Sequence, residues 1–116
     1  MKLKKKIYIT GVSGFIGSSL AKKCLESGHS VIGITRNSAS EISKQLKIKV
    51  IEADLLKEAN LEIESADVVI HCATANDILS KNINEGYSLS INGTSNLLEA
   101  SKRADISNFI FFSTAQ

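Results

Sequence analysis

Apolar residues in this chain fall into short, nearly unbroken runs with little polar alternation. The runs at residues 6–10, 30–35, 48–52, 67–72 and 108–113 are rich in β-branched residues. That is the pattern of strands buried on both faces of a parallel sheet. Between the first two runs, Ile16, Leu20, Cys24 and Leu25 recur at helical spacing, and Gly28 stands where a helix would end. Leu89, Leu97, Leu98, Ala100 and Ala104 mark a longer helix beginning near Asn84, with Glu85 suited to its first turn. Residues 37–46 and 55–63 are shorter and more polar, and predict short helices or turns.

Strand and helix alternating in this way predict right-handed βαβ crossovers and a doubly wound α/β fold, with helices on both faces of a parallel sheet. A length of 116 residues with 43% hydrophobic and 22% charged positions suits one globular domain. The formal charge of +2 is too small for a nucleic-acid footprint, so no nucleic-acid partner is expected. Lys2, Lys4, Lys5 and Lys6 read as a solvated basic tail. No apolar run resembles a signal peptide or approaches the roughly 18 residues of a membrane span. The reading is a cytoplasmic protein without a membrane partner. Cys24 and Cys72 lack metal-ligand spacing and read as reduced packing residues, so no metal is expected.

The candidate chemistry lies between the first strand and the first helix, where Gly11, Gly14 and Gly17 fall in the run 10–17, Thr-Gly-Val-Ser-Gly-Phe-Ile-Gly. A helix N-terminus there offers free backbone N–H groups and the positive end of its dipole to an anion. Glycines permit the sharp turn, the close approach of phosphates, and tight packing of helix on strand. The strand before and the helix after supply the context that a dinucleotide-binding turn requires.

The spacing is Gly-x-x-Gly-x-x-Gly, and with Phe15 and Ile16 it resembles the cofactor turn of the extended short-chain dehydrogenase/reductases, the NAD-dependent epimerase/dehydratase group. The likeness continues through Asp54-Leu55, His71-Cys72-Ala73, the run 92–100 (Asn-Gly-Thr-Ser-Asn-Leu-Leu-Glu-Ala) and the run 109–114 (Phe-Ile-Phe-Phe-Ser-Thr). It implies a Rossmann-like sheet of about five strands in the order 3-2-1-4-5. It also implies that residues 1–116 are the dinucleotide-binding domain, incomplete at its C-terminal end and without a substrate domain.

The resemblance assigns Gly11, Gly14, Phe15, Ile16 and Gly17 to the turn that binds the cofactor. Asp54 and Leu55 go to the adenine edge and face, and Cys72, Ala73 and Thr74 to the wall beside ribose and nicotinamide. Asp54 equally suits a helix N-cap. His71 reads as a packed or backbone-bonded histidine, not a catalytic one. Where family members that use NAD carry an acidic residue after the second strand, this chain has Thr35 followed by Arg36. A guanidinium can pair with a 2′-phosphate, so NADP is favoured over NAD.

Two departures from the family pattern stand out. Ser90 occupies the position, three residues before Gly93, where the family usually has an asparagine supporting the active site. Thr114 matches the hydroxyl residue that orients a substrate oxygen in the family, with Ser113 as the alternative. Its usual partners, a tyrosine and lysine spaced Tyr-x-x-x-Lys, are absent: neither Tyr8 nor Tyr87 has a lysine four positions later.

The expected function is therefore the NAD(P)-binding part of an extended short-chain reductase or nucleotide-sugar epimerase/dehydratase. Such an enzyme transfers hydride at a carbinol or carbonyl carbon of a small-molecule substrate. A non-catalytic NADP(H)-binding sensor is the alternative. An uncovered sheet edge after the fifth strand leads us to expect self-association.

Overall fold

Five parallel strands form the frame: β1 (Lys6–Thr10), β2 (Ser30–Thr35), β3 (Lys49–Glu52), β4 (Val68–His71) and β5 (Asn108–Phe111). Their order in the sheet is β3-β2-β1-β4-β5, as expected. The computed structural model describes residues 3–36, 39–72 and 89–112. The proposed helix start at Asn84 and Glu85, and Ala73, Thr74, Tyr87, Ser113 and Thr114, lie outside the described residues.

The pleat divides the apolar residues between two faces. Ile7 and Ile9 of β1, Val31 of β2 and Ile70 of β4 share one core with Val12 and Ala21, against which Leu20, Cys24 and Leu25 also pack. Those residues of α1 (Phe15–Glu26), with Ile42 and Leu46 of α2 (Ala39–Leu46), cover that face. Tyr8, Ile32, Ile34 and Val69 point the other way, into a second core with Leu97 and Ala100 of α3 (Thr94–Arg103). β1, β2 and β4, covered on both sides in this way, have no polar face, which is why their apolar runs show no alternation. The long-helix reading is modified at its start, because Leu89–Gly93 is wound as a π-helical turn leading directly into α3.

Helix ends follow one design with different residues. After α1, the N–H groups of Gly28 and His29 donate to the carbonyls of Leu25 and Cys24, with Gly28 left-handed at φ 89°. After α3, Asp105 and Ile106 donate to Lys102 and Ser101, and Asp105 takes φ 60°. Both are paired carbonyl closures with a left-handed residue just beyond the helix.

Residues 55–63 form no helix: turns at 55–57 and 59–60 lead into irregular chain. Lys57 and Glu58 N–H donate to the Asp54 carbonyl, and α3 holds the segment in place. The Asn96 side chain donates to the Leu55 carbonyl, and Arg103 Nη2 donates to the Leu61 carbonyl at 2.8 Å. Among the described residues, every buried side-chain nitrogen and oxygen has a hydrogen-bond partner.

Candidate functional site

The glycine turn carries β1 into α1 by main-chain geometry alone. Gly11 is left-handed at φ 64°, and the Gly14 N–H donates to its carbonyl at 3.0 Å, closing the turn. Gly14 is then the N-cap of α1 in an extended conformation; no side chain caps that end, and its first turn holds no acidic residue. A Cβ on Gly17 would stand 2.1 Å from the Gly11 carbonyl oxygen, so the helix lies directly on the turn. Gly33 of β2 makes similar room, since a Cβ there would meet Val12 Cγ1 at 2.7 Å. The result is a helix N-terminus that, among the described residues, has no side-chain cap and no acidic residue in its first turn, an environment suited to an anionic group. Phe15 and Ile16, expected at this turn, are both exposed, Phe15 by 87%.

Of the other expected residues, the described ones, Thr35, Arg36, Asp54, Leu55 and Cys72, lie at or just beyond the carboxyl ends of β2, β3 and β4, where ligands of open α/β sheets bind. Thr35 is buried, its carbonyl accepting the Ala53 N–H at 2.8 Å, whereas Arg36 beside it is exposed. Asp54 does not cap a helix, because the segment after it is turn. Its Oδ1 accepts the Leu56 N–H at 3.0 Å, while its own N–H donates to the Glu58 carboxylate at 2.7 Å. Leu55 is buried in the core under α3. Cys72 is buried too, and its N–H donates to Thr10 Oγ1 at 2.9 Å.

His71 is packed, as expected, but its ring is bonded to side chains and not to backbone. Nδ1 shares a 2.7 Å hydrogen bond with Thr10 Oγ1, and Nε2 a 3.0 Å one with Thr94 Oγ1. Burial pushes its pKa down to about 4, so the ring is neutral near pH 7. Thr10 and Thr94 are the residues sequence reasoning missed. Each stands beside a glycine of a quoted motif, Gly11 and Gly93, and their inward orientation follows only from strand parity and helix placement.

Tyr8 and Cys24 carry no site chemistry here. Burial raises the pKa of each, and Tyr8 is enclosed in the core beneath α3. Among the described residues no group of histidine, cysteine and carboxylate side chains could hold a metal ion, and no helix is long and apolar enough to cross a membrane.

Residues 7–116 match the family described as NAD dependent epimerase/dehydratase. The chain is 28% identical to the decarboxylating sterol-4-alpha-carboxylate 3-dehydrogenase of Dictyostelium discoideum, over 95% of its own length and 35% of the relative's. It is 30% identical to a putative UDP-glucose 4-epimerase of Methanocaldococcus jannaschii, over 93% of this chain and 37% of that one. Its fold matches the crystal structure of the Bordetella bronchiseptica enzyme WbmG in complex with NAD and UDP, with a TM-score of 0.77 and 22% identity. That match covers 97% of this chain and 38% of the enzyme. The chain thus spans a little over a third of the length of these proteins.

Proposed function

The chain belongs to the NAD dependent epimerase/dehydratase family, and from that premise we propose that it is the dinucleotide-binding part of an epimerase or dehydrogenase. One observation carries the proposal. The α1 N-terminus has no side-chain cap and no acidic first turn, and it is pressed so closely on Gly11 that only glycine fits at position 17. Main-chain N–H groups there would hold the pyrophosphate. Relatives and fold neighbours support the nucleotide: WbmG is described with NAD and UDP, and the matched relatives are a dehydrogenase and a putative epimerase.

Within this reading, Arg36 favours NADP by offering its exposed guanidinium to a 2′-phosphate. Asp54 and Leu55 would border the adenine, and Cys72, Ala73 and Thr74 the ribose and nicotinamide. When bound, the dinucleotide supplies the hydride chemistry. The chain's own residues bind it, orient it and wall it from water. Thr114 is the proposed hydroxyl that orients a substrate oxygen, and in the whole protein a nucleotide-linked sugar is the proposed substrate class. A cytoplasmic location and self-association complete the proposal.

Titration of the chain with NADPH and with NADH, followed by nicotinamide fluorescence, tests the reading. Saturable binding of either is the expected result, and no change with both would overturn it.

A further inference from the structure

We propose that His71 is a positioning residue, coupling the wall of the dinucleotide crevice at Cys72 to the start of α3; the inference rests on the dinucleotide reading above. The imidazole is fully buried at the end of β4, and its two nitrogens meet hydroxyls from two separate elements, Thr10 of β1 at 2.7 Å and Thr94 of α3 at 3.0 Å. Thr10 Oγ1 in turn accepts the main-chain N–H of Cys72 at 2.9 Å. A neutral imidazole has one donor and one acceptor, and a hydroxyl can serve either role, so the chain of bonds from Cys72 to Thr94 closes without an orphaned atom. In a site this dry, each bond is strong and a broken one is costly.

The ring is also fixed from the side. Phe111 stacks on it with centroids 5.4 Å apart and planes 25° from parallel, and Phe109 lies tilted at 6.1 Å. The Phe112 N–H donates to the His71 carbonyl at 3.1 Å. A leucine or phenylalanine at 71 would fill the space and leave both hydroxyls without this partner. What the imidazole adds is a link between two places: the main chain leading into the crevice wall, and the first residue of α3 directly after the π-helical turn that holds Ser90.

The chain has two histidines, which makes the test clean. His29 lies at the opposite, amino edge of the sheet, where its Nδ1 accepts the Lys5 N–H at 3.1 Å. In the histidine-nitrogen NMR spectrum of the full chain, added NADH or NADPH is expected to move the His71 ring resonances and leave those of His29 in place. Thr94→Val removes one hydroxyl at nearly constant volume and is expected to raise the dinucleotide Kd about tenfold, with Thr94→Ser restoring it. A wild-type chain that binds dinucleotide while His71 stays silent overturns the inference alone. So does a folded Thr94→Val variant with unchanged affinity. A wild-type chain that binds neither dinucleotide overturns the functional reading and this inference with it, and if Thr94→Val fails to fold, the wild-type spectrum still decides.

Discussion

Gly17 lies against Gly11 so closely that a Cβ on the helix residue would stand 2.1 Å from the turn's carbonyl oxygen. The three nearest atoms, Gly11 O and C and Val12 Cα, are all backbone, so no side chain can swing away to relieve the clash. Gly17→Ala must push α1 off the turn. We expect a loss of roughly 3 kcal/mol of stability, at the upper end of what overpacking costs, measured by urea unfolding. Dinucleotide affinity should fall in parallel. A variant as stable and as tight-binding as wild type would show that the helix does not need this contact.

Arg36 should decide between the two dinucleotides. Arg36→Ala is expected to weaken NADPH by about tenfold or more, the loss of one charge-assisted pair with phosphate, and to leave NADH nearly unchanged. The measurement is the ratio of the two dissociation constants, and an unchanged ratio removes the argument for NADP.

Acidification should destabilise the chain through His71. Its pKa is 6.5 in an exposed setting and about 4 in the fold, where burial penalises the charged ring. Between those values the unfolded chain binds the extra proton, so this contribution is complete above pH 6.5 and is lost as pH falls through about 4. The gap corresponds to roughly 3 kcal/mol. Glu64, held low by its ion pair with Lys6, acts in the same direction on the surface. Urea unfolding at pH 7 and 4.5 should therefore show a smaller pH effect in His71→Phe than in wild type.

The β5 edge should drive self-association. Ile110 is 45% exposed and Phe111 47%, and β5 has β4 on one side and no further strand on the other among the described residues. An apolar strand edge of this kind invites pairing. Ile110→Lys should shift light scattering at high concentration towards the monomer, and a wild-type chain already monomeric under those conditions would refute the idea.

How much of this was legible beforehand depended on whether a residue's role is set locally. The runs of β1, β2 and β4 were readable because burial on both faces removes alternation, and Gly28 because a left-handed closure after α1 matches its residue type. Asp105 performs the same closure after α3 without a glycine, and left no such signal. Residues 55–63 take their shape from Asn96 and Arg103, both on α3, so their own polarity could not distinguish turn from helix. Asp54 was open between cap and ligand edge; its carboxylate binds the Leu56 N–H in a turn that the local sequence allowed but did not require. The glycine turn was legible because its requirement is steric and contained within seven residues. The His71 network was not, because it joins three elements whose adjacency exists only in the folded sheet.

The place of β1 between β2 and β4 has a consequence for how the chain folds. The β1–β2–β3 half is built from neighbours in sequence, whereas pairing β1 with β4 brings together Thr10 and His71, 61 positions apart. Closing that loop costs more chain entropy than the shorter one that joins Lys6 to Ser30, so we expect β1–β4 pairing to follow β1–β2 pairing. The glycine turn can therefore take shape on a half-formed sheet during synthesis, before the opposite wall of its crevice exists.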